Sequence, residues 1–315
     1  MTQTVTPRAG PFVHPALFYA SDEEYLDGLV PFVTDGLALE QPVAVAVPNA
    51  RLGMLRTALG TAAELVTMID MAVAGRNPGR IIAGVLRRFA DHYPQQHVRI
   101  VGEPIWPGRT AAEYPACVQH EALINVAFAG RHVTIVCPYD IAGLSPVAIA
   151  DARATHPLLW AADGHHASDS YSPDTVLDRY NQPLTRGGHN VSITIRSVAE
   201  LPGARFYAAE QGRRLGLGVA QVPDLELILT ELVTNSLIHT GDGCRVQIWR
   251  EQEHLICEIR DFGQLTDPLA GRGPSQPEQH SGRGLLLVND MADLVRTHTS
   301  PHGTTMRALL HIKQD

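Results

Sequence analysis

Between residues 11 and 160, short runs of β-branched and small apolar residues alternate with helix-like stretches. This rhythm restricts that part of the chain to a largely parallel sheet covered by helices. The runs are Pro42-Val-Ala-Val-Ala-Val-Pro48, Leu65-Val-Thr-Met-Ile-Asp70, His97-Val-Arg-Ile-Val-Gly102 and His132-Val-Thr-Ile-Val-Cys137. Residues 22–38, 78–92 and 111–129 between them predict helices, and Ser21 stands as an N-cap before Asp22, Glu23 and Glu24. An α/β domain over 11–160 follows.

The character changes at Ala161. Asp163-Gly-His165-His166, Ser168-Asp-Ser-Tyr-Ser-Pro173 and Arg186-Gly-Gly-His-Asn190 are polar and turn-forming, so residues 161–190 read as a linker with one short helical turn at 174–180 and a solvated His165-His166. From 191 to 315 the order is a strand at 191–196, helices at 203–217 and 223–240, strands at 244–251 and 254–260, and a loop at 263–281. A helix at 284–293 and strands at 295–299 and 304–312 complete an α+β domain. Two domains suit a chain of 315 residues, which is longer than one core usually grows.

Composition removes whole classes of function. The net charge of −8 offers no electrostatic footprint for nucleic acid. Lys313 is the only lysine, so a Walker A loop, a pyridoxal Schiff base and the strand lysine of a eukaryotic-type kinase are all excluded. Cys117, Cys137, Cys244 and Cys257 form no C-x-x-C pair, which argues against a zinc site and against a disulfide framework. The first residues lack the pattern of a signal peptide and no long apolar run occurs, which leads us to expect a cytoplasmic protein without a membrane anchor.

The chemistry-bearing residues are in the second domain. On the helix beginning at Pro223, residues Glu231, Asn235 and His239 are four apart and share a face. The strand Leu255-Ile-Cys-Glu-Ile-Arg260 runs into Asp261-Phe262-Gly263, where a carboxylate can accept a hydrogen bond from an exocyclic amine beside closely approachable backbone. Gly282-Arg283-Gly284-Leu285 opens an apolar helix whose free N–H groups suit phosphate oxygens, and Gly303-Thr304 opens the last strand. Asn235, Asp261, Gly282 and Gly303 follow one another at 26, 21 and 21 residues.

These four elements in this order resemble the N, G1, G2 and G3 boxes of the GHKL ATPases and kinases. Gly282-Arg-Gly-Leu-Leu-Leu-Val-Asn-Asp-Met-Ala-Asp293 most resembles the anti-sigma-factor serine kinase branch. The resemblance implies a Bergerat α/β sandwich with helices on one face of a mixed sheet, binding ATP and Mg2+. In it Asn235 holds the metal, Glu231 is the general base, and His239, Asp261, Gly263, Gly282, Arg283, Gly284 and Thr304 contact the nucleotide. Residues 264–281 become a lid, with Arg272 and Arg283 facing the γ-phosphate. The implied partners are a sigma factor, an anti-anti-sigma protein carrying the acceptor serine, or both, and a homodimer is allowed. Two alternatives stay open: an atypical sensor histidine kinase, for which only His120-Glu121 offers an acceptor-like box, and an ATP-binding protein that sequesters a partner without catalysis.

Residues 11–160 resemble the MEDS sensory domain through His14-Pro-Ala-Leu-Phe-Tyr19, Gly36-Leu-Ala-Leu-Glu-Gln-Pro-Val43, Tyr114 to Asn125, Cys137-Pro-Tyr-Asp140 and His156-Pro157. That resemblance implies a RecA-like sheet without a P-loop. His14, Cys137, Tyr139, Asp140 and His156 are candidates to converge near strand ends, where open α/β sheets bind ligands, around a metal or a small molecule.

Overall fold

The computed structural model describes residues 12–161, 164–185, 192–273 and 283–313, which divide into two compact units at Tyr180 and Asn181. Gly282 and the later part of the expected lid lie outside the described residues.

The first unit begins with β1 (Phe12–Val13) and β2 (Pro15–Tyr19), followed by α1 (Asp22–Ala38). The hydroxyl of Ser21 accepts the Glu24 N–H at 3.1 Å, and the Glu24 carboxylate reaches back to the Ala20 N–H at 2.6 Å. Three acids in the first turn suit the positive end of the helix. Tyr25, Leu29, Phe32, Val33 and Gly36 form its buried stripe. Next come β3 (Val43–Val47), α2 (Asn49–Leu59), β4 (Thr67–Asp70) and the short α3 (Met71–Ala74).

Where the sequence predicts one helix over 78–92, the chain instead makes a 3-10 turn at Pro78–Arg80, a π-type segment at Ile82–Arg87 and the short α4 (Arg88–Ala90). The Asn77 side chain caps Gly79 at 3.0 Å, and Gly79 and Gly84 both lower the preference for regular α geometry. The rest is β5 (Val98–Gly102), α5 (Tyr114–Ala127), β6 (Val133–Asp140), α6 (Pro146–Thr155), β7 (Leu158–Ala161), β8 (Gly164–Ala167) and α7 (Pro173–Tyr180).

The strands form one sheet in the order β4-β3-β5-β6-β2-β7-β8, with β1 also paired to β6. Every pairing is parallel except β7 with β8. Strand β3 is buried along its whole length, as a parallel strand covered on both faces should be.

The expected linker gives way over 164–180. Residues 164–167 add the antiparallel edge strand β8, and the His165 ring lies 4.8 Å from that of Trp160. Helix α7 is bound to the unit through Asp151, a buried carboxylate that accepts from Tyr114 at 2.7 Å, from Arg179 at 2.8 Å and from Tyr180. Val176 of α7 is fully buried. A polar composition hid this docking because its anchor is a set of hydrogen bonds rather than an apolar stripe.

The second unit comprises β9 (Ser192–Ile195), α8 (Leu201–Arg214), α9 (Val222–Thr240), β10 (Cys244–Glu251), β11 (His254–Asp261), α10 (Arg283–Met291), β12 (Leu294–Ser300) and β13 (Gly303–His311). The sheet order is β12-β13-β11-β10-β9, and every pairing among the described residues is antiparallel, where the resemblance led to a mixed sheet. Alternate residues Val246 and Ile248, Leu255, Cys257 and Ile259, and Met306, Ala308 and Leu310 meet α8, α9 and α10 in one core. Among the described residues no helix is long and apolar enough to cross a membrane.

Replacing Ser21 by Ala removes the α1 cap and should cost about 1 kcal/mol. Urea denaturation followed by tryptophan fluorescence, with Trp106 and Trp160 reporting on this unit, should show the lowered midpoint. An unchanged midpoint would mean that the cap contributes nothing.

Candidate functional site

Helix α9 buries Leu225, Ile228, Leu229, Leu232 and Val233 against the sheet. Its opposite side presents Glu231, Asn235 and His239, the first two half-buried and the third exposed. Gly241 ends the helix in the left-handed region, with φ of 71°.

Strand β11 brings Asp261 up to this helix. One carboxylate oxygen accepts from Ser236 Oγ at 2.5 Å and the other from the Gly263 N–H at 3.0 Å. Each oxygen keeps a further lone pair for an outside donor. The register pairs Asp261 with Thr304. Thr304 Oγ1 donates to the Gly263 carbonyl at 2.7 Å and meets Thr299 Oγ1 at 2.9 Å, which in turn accepts from the Leu265 N–H at 2.9 Å. Thr304 is buried, so its hydroxyl holds the turn after Asp261.

Helix α10 closes the other side. A Cβ on Gly284 would fall 2.3 Å from Glu231 Oε2, so the first turn of α10 lies directly on that carboxylate. The free N–H groups and positive dipole end of a helix favour an anion there. Arg283 is exposed at the helix start, and Arg272 is half-buried in the preceding loop. Asn289 donates to the Gly271 carbonyl at 2.9 Å and to Leu285 at 3.1 Å, which ties the described part of the expected lid to α10.

The structure therefore places Glu231, Asn235, Asp261, Gly263, Gly284 and Thr304 on adjoining elements, with His239 at the solvent end of the stripe. Sequence reasoning missed Ser236, Thr299 and Asn289. Ser236 was detectable only as the neighbour of Asn235, and the other two act through tertiary hydrogen bonds that no local spacing encodes.

In the first unit His14, Cys137 and His156 converge, joined by Glu121 of α5, and all four are buried. Tyr139 is buried beside them with its ring edge-on to His156 at 5.5 Å. Asp140 does not join: it accepts the Ala142 and Gly143 N–H groups at 3.0 and 2.9 Å in the turn after β6. His14 and His156 precede β2 and β7, so the cluster lies toward the amino ends of those strands rather than the carboxyl ends where such ligands were expected.

Burial, with His156 adding to it, pushes the His14 pKa down to about 4. Burial works to raise the Glu121 carboxyl, but the two imidazoles outweigh it and hold the group below the usual carboxylate range. Burial, reinforced by Glu121, raises the Cys137 thiol. His120, the acceptor-like histidine of the sequence, is buried in α5.

Gly303 has φ of 132°, and a Cβ there would fall 2.2 Å from the Asp261 carbonyl oxygen. Gly303→Ala should destabilise the second unit by roughly 1–3 kcal/mol, read as a lower melting temperature in the Trp249 fluorescence transition. A variant as stable as the parent would contradict this close approach.

Comparison with known proteins agrees with this division. Residues 13–157 match the family described as MEDS, the methanogen/methylotroph DcmR sensory domain, and residues 196–310 match the histidine kinase-like ATPase domain. The serine-protein kinase RsbW of Halalkalibacterium halodurans is 26% identical over 132 residues, spanning 37% of this chain and 77% of that protein. The RsbU and RsbW domains of a Mycobacterium tuberculosis protein give 16% identity and a TM-score of 0.32 over 40% of this chain, and the match spans only 33% of that one. The SiaB–SiaC complex of Pseudomonas aeruginosa gives 12% identity and a TM-score of 0.31 over 38% of this chain and 88% of the matched one. The chain carries an N-terminal MEDS domain and a C-terminal histidine kinase-like ATPase domain of the GHKL kind, the latter homologous to RsbW.

Proposed function

We propose that the second unit is an ATP- and Mg2+-dependent protein serine kinase of the anti-sigma-factor type, governed by the sensory first unit. The observation that carries this is the contact of Glu231 with the first turn of α10, one helical turn from Asn235. An acid positioned where a helix start can receive phosphate is suited to take the proton of an incoming seryl hydroxyl. Mg2+ prefers oxygen ligands and bridges phosphates, and the Asn235 side-chain carbonyl fits that role. Asp261, fixed by Ser236 and Gly263, fits recognition of the adenine amine. Gly282, Arg283 and Gly284 would face the phosphates, His239 the outer edge of the nucleotide, and Thr304 acts by holding the turn at Gly263. Arg272 and Arg283 are assigned to the γ-phosphate.

The partner is a sigma factor or an anti-anti-sigma protein that supplies the acceptor serine, in the cytoplasm. Residues 11–160, read as a RecA-like sheet turned to sensing, set the kinase output. Burial of His120 inside α5 keeps it from an external phosphoryl donor, which weighs against histidine autophosphorylation.

The test joins calorimetry with phosphate transfer to candidate partners. Wild type should bind Mg-ATP, and Asp261→Asn and Asn235→Ala should lose that binding. Glu231→Gln should keep it while transfer falls roughly 100- to 10,000-fold. Acid-stable phosphoserine on the partner selects the serine kinase, acid-labile phosphohistidine on this chain selects the alternative, and ATP binding without transfer selects sequestration. No binding at millimolar nucleotide removes the reading altogether. Gly284→Ala should disturb transfer more than ATP binding, because its methyl displaces the Glu231 carboxylate.

A further inference from the structure

The four buried side chains in the first unit come from four separate elements: His14 before β2, Glu121 in α5, Cys137 in β6 and His156 at the end of α6. Their donor atoms all lie within 4.8 Å of one another. Glu121 Oε2 is 3.4 Å from His14 Nε2 and 3.2 Å from His156 Nε2, and Cys137 Sγ is 3.4 Å from His14 Nε2. Donors about 2.1 Å from a tetrahedral ion are separated by about 3.4 Å, so these three shortest separations are those of ligand edges around an ion.

Hydrogen bonding behind the cluster fixes which nitrogens face inward. The Asn125 amide nitrogen lies 2.8 Å from the Thr155 carbonyl and 3.2 Å from that of Ala122, so its oxygen is the atom 3.1 Å from His14 Nδ1. His14 Nδ1 must therefore carry the hydrogen. His156 Nδ1 lies 2.8 Å from the Ala152 carbonyl, which can only accept, so it too carries a hydrogen. With Nδ1 carrying the hydrogen, each imidazole in its neutral form would aim an Nε2 lone pair at the carboxylate. Neither Glu121 oxygen nor His156 Nε2 has a well-directed hydrogen bond, with the Cys137 thiol and the Tyr139 hydroxyl the neighbouring donors to Glu121. In that form the facing lone pairs are stabilised by positive charge between them, supplied by shared protons or by a bound ion. Anchoring of the outer imidazole nitrogen by a carbonyl or amide oxygen is also how protein metal sites orient histidine.

We infer that His14, Glu121, Cys137 and His156 form a four-coordinate site for a divalent ion, Zn2+ by its affinity for a mixed nitrogen, oxygen and sulfur set. Binding releases the Cys137 thiol proton to solvent. The thiolate, the carboxylate, two neutral imidazoles and a dication then sum to zero charge, which relieves the burial of Glu121. Four protein ligands leave no open position, so the site is one that joins elements rather than one that performs hydrolysis. Occupancy links β2, α5, β6 and α6, which makes ion loading a signal the first unit can register. This inference is independent of the kinase reading.

The experiment uses the untagged full chain and Co2+ as a spectroscopic substitute for Zn2+. One equivalent of Co2+ should produce the intense visible bands of a tetrahedral site together with a thiolate-to-cobalt charge-transfer band, and one equivalent of Zn2+ should abolish both. Cys137→Ser should lose the charge-transfer band, and Cys117→Ser, altered at a buried cysteine in α5, should keep it. Asn125→Ala, which frees His14 Nδ1, should bind roughly 10- to 100-fold more weakly. Zn2+ should also raise the melting temperature of the first unit in the wild type but not in Cys137→Ser. A wild type that shows neither a charge-transfer band nor stabilisation by Zn2+ overturns the site, and the cluster then holds a proton in place of the ion. A band that survives in Cys137→Ser overturns it equally. The wild-type readouts stand even where a variant fails to fold.

Discussion

The second unit turns on the carboxylate of Asp261. Its two oxygens hold the hydroxyl of a helix residue, Ser236, and the backbone of its own turn at Gly263. The strand register then sets Thr304 beside it, and the Thr304 hydroxyl grips the Gly263 carbonyl from the other side. A single strand end therefore fixes α9, the turn and the start of β13 together. The carboxylate keeps acceptor capacity for a further donor. Because hydrogen bonds to charged groups contribute roughly 1.5–3 kcal/mol each, this arrangement is stiff as well as specific.

Most of this unit was legible in the sequence. Predicted and observed elements differ by at most three residues at their ends, because amphipathic periodicity reports a sheet covered on one face by helices directly. The site residues were legible for a related reason: Glu231 and Asn235 share a helix, and Asp261 and Gly284 each open or close an element. Strand direction was not legible from local pattern, and the mixed sheet expected from resemblance is antiparallel throughout the described residues. Ser236, Thr299 and Asn289 were missed because their partners lie 25, 5 and 18 residues away and carry no motif of their own.

The first unit shows the opposite balance. Four of its parallel strands, β3 to β6, announced themselves through short β-branched runs, whereas β1, β2 and β7 did not, and its polar organisation was largely hidden. Asp151 draws in Tyr114, Arg179 and Tyr180 from sequence distances of 37, 28 and 29 residues, and by doing so turns an apparent linker into a docked helix. Glu121 carries no signal in the sequence beyond its place beside His120, although both are buried in α5. A buried carboxylate is costly unless charge or hydrogen bonds compensate it, so its partners are tertiary by necessity.

The glycines of the site connect these two levels. At Gly263 a side chain would strike Thr240 at 2.5 Å, and at Gly284 it would strike Glu231 at 2.3 Å. Both are points where one element approaches another too closely for a Cβ, and not hinges in an open loop. The motif glycines thus record contacts between α9 and the two segments that follow it. Gly263 and Gly284 mark where later parts of the chain come to rest on α9, while Gly303 marks the approach of β13 to the end of β11.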